Sequence, residues 1–434
     1  MRRLLFLSLL LAMNGIAFSQ WQMQKTGIPS EFRGLSVVND KVAWASGNRN
    51  TYARTTDGGA TWEVATVPEK ETLDFRDVEA LSADTAYLLS IGAGTKSRIY
   101  KTTDGGKDWA LQFTNSRPEA FFDAFAFWDA RNGIAVSDPV DGRFVIIRTS
   151  DGGAHWLEVP AKSMPPALPG EGVFAASGTT IAVNGDRSVW FATGGAATAR
   201  VFRSTDKGLT WSVSPTPIIA GLASTGIFSI AFKDARNGII VGGDYRKVEE
   251  AKENIAGTTD GGRTWTLIPD FPLGGFRSCV AYLPGSKGRT LVATGPAGTD
   301  YSLDGGLHWV KYDSQGFHVL AFARSEAAGW GAGAGGRIAS FLPLPGSRQS
   351  APPLARAAGT AQGGGELQTL ASSRSMQWAP AAKWAPDARR RSDFTPLHHP
   401  KPRPAAGAYY GRRAVFESIA IAQRRSVAYK TPFL

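Results

Sequence analysis

The chain has 434 residues, of which 43% are hydrophobic and 20% charged, with 50 Gly, 13 Trp, one Cys and a formal net charge of +11. One cysteine excludes an intramolecular disulfide framework, and the lack of a second long apolar run argues against a membrane-spanning mature chain. The charge is uneven: residues 344–434 hold 14 of the 48 Lys plus Arg and 4 of the 37 Asp plus Glu, leaving 34 basic against 33 acidic residues elsewhere. A nucleic-acid partner is therefore not expected for the body of the chain.

The amino terminus reads Met1-Arg2-Arg3, then an apolar stretch over 4–13, then Ala17-Phe18-Ser19. This is the pattern of a secretory signal peptide over residues 1–19, which predicts export to the periplasm or beyond the cell. Next comes Trp21 within QWQMQK, a short strand with no neighbours in sequence to form a sheet.

From there one phrase recurs six times: TTDGGATW at 55–62, TTDGGKDW at 102–109, TSDGGAHW at 149–156, STDKGLTW at 204–211, TTDGGRTW at 258–265 and YSLDGGLHW at 301–309. The tryptophans Trp62, Trp109, Trp156, Trp211, Trp265 and Trp309 are separated by 47, 47, 55, 54 and 44 residues, the period of a four-stranded propeller blade. In blade one the pattern predicts strands over 32–38, 42–46, 52–55 and 62–66, and the turn DARNG recurs at 129–133 and 234–238 between first and second strands. Aligning inner strands on Phe32, Phe75, Phe122, Phe174, Phe228, Phe276 and Phe317 yields seven blades, one more than the phrases. The seventh has three strands, so the segment containing Trp21 is expected to complete it and close the ring, removing two sheet edges. The expected fold is thus an all-β, seven-bladed propeller of antiparallel four-stranded blades over 20–343, with a disordered Pro/Ala/Arg-rich tail over 344–434.

Within the phrase, Asp57, Asp104, Asp151, Asp206, Asp260 and Asp304 are expected to accept hydrogen bonds from their own turns, with the glycines supplying positive φ and each Trp a plate between sheets. One carboxylate per phrase falls far short of a calcium shell, so no metal is expected. His155 and His308 stand where the phrase usually has Thr. Cys279, in an apolar stretch, reads as a buried structural thiol.

These phrases are Asp boxes, the bacterial neuraminidase repeats of sialidases, other glycosidases and sortilin-like receptors. In period, blade count and FR-type inner-strand starts the chain resembles the photosystem II stability/assembly factor-like family. That resemblance implies a binding or assembly module, with the Asp boxes away from the functional face.

In such a propeller the starts of the inner strands and the loops between second and third strands share one mouth. The residues following the aligned phenylalanines include Arg33, Arg76, Arg277 and His318, expected as a cationic arc across blades six, seven, one and two. The loops add Arg49, Asp138, Arg143, Asp244, Tyr245 and Arg246. Convergent guanidiniums suit a carboxylate, predicting as partner an acidic protein segment or a chain terminus, with the protein itself monomeric. The competing reading pairs these arginines with Asp123, Asp138, Asp141 and Asp244 as rim ion pairs. A sialidase-type glycosidase is the enzymatic alternative, with Tyr245 and Glu249 or Glu250 as substitute catalytic groups, although the FR-I-P arginine motif is absent. No catalytic residue is assigned and no cofactor is expected, since no dinucleotide-binding glycine pattern opens a helix.

Overall fold

A computed structural model describes residues 21–268, 270 and 272–342. The expected signal peptide and basic tail lie outside the described residues. Seven four-stranded antiparallel sheets form, the first six each meandering outward in chain order. Blade one comprises Phe32–Val37, Ala43–Gly47, Thr51–Thr55 and Glu63–Thr66; blade six comprises Cys279–Tyr282, Leu291–Gly295, Gly298–Ser302 and Val310–Asp313. Inner strands pack against their neighbours all the way round, with Val319–Phe322 of blade seven returning to Phe32–Val37 of blade one.

Closure follows the sequence expectation. Trp21–Gln24 pairs antiparallel with Ile338–Phe341, in the register Trp21 to Phe341 and Gln24 to Ile338, as the fourth strand of blade seven. Trp21 is 2% exposed, and its ring meets Phe317 at 4.7 Å and Phe341 at 5.3 Å.

The Asp boxes brace the turns as their chemistry predicts. Asp57 Oδ1 accepts from the Thr61 amide at 2.9 Å and from the Thr55 hydroxyl at 2.8 Å, and Oδ2 accepts from the Thr61 hydroxyl at 2.6 Å. Those bonds, the Thr61 hydroxyl first, hold its pKa down to about 2. His155 and His308 take the Thr61 role through Nδ1 toward Asp151 and Asp304. Each box also ties into the inner turn of its own blade, as in Gly58 N–H to Lys41 O at 2.9 Å and Gly261 N–H to Arg236 O at 2.7 Å. The boxes therefore lie where the inner strands end, and the strand starts form the opposite mouth. The box tryptophans pack between sheets: Trp109 of blade two meets Trp44 and Tyr52 of blade one edge-on at 6.2 and 5.1 Å. Cys279 is fully buried, its thiol pushed up to about 11 by burial, which keeps it protonated and inert.

Blade four departs from the phenylalanine alignment. Its inner strand is Ile181–Asn184, and the residues after Phe174 form no strand. Ala175-Ala176-Ser177-Gly178 lacks the β-branched side chains that fill a pleated, half-buried surface, whereas Ile181 and Val183 supply them.

Candidate functional site

The residue after each of the first three aligned phenylalanines is the extra residue of a β-bulge. Register shifts separate Phe32 from Gly34, Phe75 from Asp77 and Phe122 from Ala124, so Arg33, Arg76 and Asp123 bulge out of the ladder register. A bulge bends the strand and re-aims its side chain. Phe32, Phe75 and Phe122 are buried, Asp123 is buried with them, and Arg33 and Arg76 are half-buried at the mouth. A Cβ at Gly34 would meet the Val78 amide nitrogen at 2.9 Å, so this glycine lets blades one and two approach closely beneath the two arginines.

Arg76 Nε donates to Asp74 at 2.8 Å and Nη1 to the Ala175 carbonyl at 3.1 Å. Arg33 donates from Nη1 to the Ala176 carbonyl at 3.4 Å and, among the described residues, forms no ion pair. Burial, then the charge of Arg76, lowers its pKa to about 10. It remains a cation at neutral pH, in a place where added negative charge is favoured.

His318 reaches the same mouth from blade seven, its Nε2 lying 3.1 Å from Glu31. Glu31 is held at about 2, chiefly by that bond, while burial lowers the pKa of His318 against the pull of Glu31. Asn48 accepts from Ser30 and from the Glu31 amide, both at 3.2 Å, which sets the turn of exposed Arg49 (φ +56°) beside Glu31. Arg337, stacked over the Phe317 ring at 5.9 Å, adds to the positive potential felt by His318.

The pH consequence has a definite sign. His318 binds its proton less readily folded than unfolded, so its contribution to stability is lost as pH falls below about 6.5; Glu31 is depressed, so its contribution is lost from about 4.5 downward. The thermal midpoint should drop between about pH 7 and pH 5, and His318→Gln should flatten that drop. Calorimetry giving parallel slopes for the two proteins would show that another group titrates.

Arg277 is a correction to the expected arc. It is 1% exposed, and its Nε and Nη2 lie 2.7 and 2.6 Å from Asp300 Oδ2 inside blade six. Its charge is neutralised in the interior, so the mouth arc reduces to Arg33, Arg76 and His318. The rim-pair reading also chose other partners: the carboxylates used are Asp74, Asp300 and Glu31. Glu31 and Asp74 each precede an aligned phenylalanine, in the triplets Glu31-Phe32-Arg33 and Asp74-Phe75-Arg76, an echo that sequence reading passed over.

The remaining candidates serve other neighbours. Asp138 accepts from the Val173 amide at 2.9 Å, and Arg143 donates to the Met164 carbonyl. Asp244 is 4% exposed and caps its own turn through the Arg246 amide at 2.9 Å. Tyr245 stands edge-on to Phe174 and Phe228 at 6.5 and 6.1 Å, with Arg246 over its ring at 5.9 Å. Glu250 pairs with Lys247 at 3.4 Å, and the Tyr245 ring belongs to this aromatic cluster.

Phe174 stacks on Phe228 at 4.0 Å, and the chain after it crosses the channel. Besides meeting Arg33 of blade one and Arg76 of blade two, this segment bonds through Ser177 to the Ser278 carbonyl before blade six at 2.7 Å, and through Thr179 to Ser229 of blade five at 2.7 Å. Among the described residues no group of three or more His, Cys, Asp or Glu is placed to hold a metal, and no helix is long and apolar enough to cross a membrane.

The family described as Photosynthesis system II assembly factor YCF48 matches residues 13–110. A search of curated proteins finds no match. Among solved structures, YCF48 bound to D1 peptide is similar at TM-score 0.54 and 17% identity, over 75% of this chain and 98% of that one. YCF48 from Cyanidioschyzon merolae gives 0.53 and 17% over 74% and 98%, and an ancestral GH74 enzyme gives 0.50 and 14% over 74% and 45%. The GH74 likeness spans less than half of that enzyme and concerns the fold alone. The chain is an Asp-box propeller that resembles the photosystem II assembly factors.

Proposed function

We propose that this protein is an exported, monomeric, protein-binding module of the assembly-factor type. Its mouth receives an acidic side chain or chain terminus of a partner protein at Arg33 and Arg76. The observation carrying this reading is Arg33: a half-buried guanidinium at the mouth, held by one long carbonyl bond and placed beside a second cation. Arg33 is poorly satisfied by one neutral acceptor and well matched to a carboxylate, which a guanidinium meets with two parallel N–H donors, while Arg76, already paired with Asp74, adds a further donor and positive charge beside it. The peptide held by the solved YCF48 propeller supports the class of partner. For the glycosidase alternative, a three-arginine clamp would require Arg277, which is spent on Asp300.

The test is an array of peptides with free terminal carboxylates beside the same sequences as amides. Wild type should prefer the free carboxylates. Arg33→Ala/Arg76→Ala should weaken that binding about a hundredfold, the cost of roughly two charge-assisted bonds, with stability falling by no more than about 1 kcal/mol. Equal binding of acids and amides would sink the reading, and unfolding of the double variant would assign the arginines to the scaffold.

A further inference from the structure

Residues 173–180 occupy the place where an inner strand of blade four would begin, yet none of them pairs in a sheet. They reach blades one, two and five and the approach to blade six, so they lie across the channel as a plug. From Ala175 to Thr180 the side chains are Ala, Ala, Ser, Gly, Thr and Thr, so little apolar area fastens the segment. Over the same residues its tethers are the hydroxyl bonds of Ser177 and Thr179, the Ile230 and Ala192 amides donating to the Thr179 and Thr180 carbonyls at 2.9 Å each, and the bonds from Arg33 and Arg76. Only the last two come from charged groups, and these use the guanidiniums assigned above to a partner's carboxylate.

We propose that residues 175–179 are a displaceable plug, seated by Arg33 and Arg76 and released when a carboxylate takes those guanidiniums. The inference rests on the functional reading above and adds its regulation. A carboxylate offers a guanidinium a full negative charge and two acceptor oxygens, which a neutral carbonyl does not, so an arriving carboxylate outcompetes the Ala175 and Ala176 carbonyls. Without those two donors the segment keeps its hydroxyl contacts at Ser177 and Thr179 and its hinge at Phe174, which stays stacked on Phe228. Competition for one pair of donors makes the coupling reciprocal: weakening the seat strengthens the ligand.

Gly178 offers the lever. Its φ is +71°, and a Cβ there would meet Asp77 Oδ1 at 2.2 Å. Asp77 is itself 7% exposed and fixed by the Phe125 amide at 2.9 Å, so it has little room to yield. Gly178→Ala thus disfavours the seated conformation through both backbone and contact. Ser177→Ala is a milder second lever that removes the bond to the Ser278 carbonyl and leaves the backbone unstrained.

The experiment combines amide hydrogen exchange with titration, using a free-carboxylate hexapeptide from the array and its amide as control. Bound carboxylate should speed exchange over 174–179 in wild type by about tenfold or more, and both variants should bind the peptide about three- to tenfold tighter. A peptide that binds while exchange in that segment slows or stays unchanged, or that binds the variants more weakly, overturns the plug and makes the segment a floor of the site. A peptide that binds neither wild type nor variants overturns the functional reading and the plug together.

Discussion

Asp300→Ala should lower the stability of the propeller by about 3–5 kcal/mol, because it leaves the Arg277 charge buried with no counter-ion. At about 2 °C per kcal/mol for a domain of this size, the thermal midpoint should fall by roughly 6–10 °C. Both partners are sealed, at 1% and 3% exposure, and two guanidinium nitrogens converge on one carboxylate oxygen. The Gly274 amide approaches that same oxygen at 3.3 Å, and Arg277 Nη1 donates to the Phe276 carbonyl at 3.0 Å. Removing one partner strands these donors, whereas removing both need not. Arg277→Met/Asp300→Leu should recover much of the loss, since a well-packed apolar pair often equals a buried ion pair. Peptide binding should survive in the recovered double variant. Arg33→Ala/Arg76→Ala should show the opposite pattern, with stability kept and binding lost. An Asp300→Ala protein melting within about 2 °C of wild type would contradict the counter-ion role.

Arg33 and Arg277 show where sequence reading stops. Both follow an aligned phenylalanine at the entry to an inner strand, and periodicity treats them alike. What separates them is Asp300, which lies 23 residues further along and enters the same interior from the third strand of blade six. A repeat pattern gives strand order and side-chain alternation, but no spacing rule reports which buried carboxylate a guanidinium will find. The Asp boxes were readable for the converse reason: Thr55, Asp57, Gly59 and Thr61 bond to one another within one turn, so local sequence contains the whole interaction. Phe174 is an intermediate case. Its alignment with the other phenylalanines favoured a strand, although the run from Ala175 to Gly178 has no residue suited to one. Composition over those positions could have corrected the register, but it could not have sent the chain across to Arg33 and Arg76.

Trp21→Ala should cost about 3–5 kcal/mol, as large as any single replacement in the outer layer of the ring, because the cavity opens at the seam. Blade seven draws three strands from one end of the propeller sequence and its fourth from the other, so pairing of Trp21–Gln24 with Ile338–Phe341 is what turns a row of blades into a ring. Trp21 packs on Phe317, Tyr312 and Phe341, bridging blades six and seven. Gln24 faces the other way: its Oε1 accepts from Trp330 Nε1 of blade seven at 3.0 Å and from the Asp-box Trp62 Nε1 of blade one at 2.8 Å. Adding Gln24→Ala leaves two indole donors unpaired, a further loss of about 1–3 kcal/mol. The double variant should melt well below wild type and, once the closing strand detaches, present Ile338–Phe341 as an open edge that pairs between molecules. Light scattering during a thermal ramp should therefore rise earlier than for Arg33→Ala/Arg76→Ala, whose ring stays shut. A Trp21→Ala/Gln24→Ala protein that melts like wild type and remains monomeric would mean that neighbouring blades hold the ring closed without this seam.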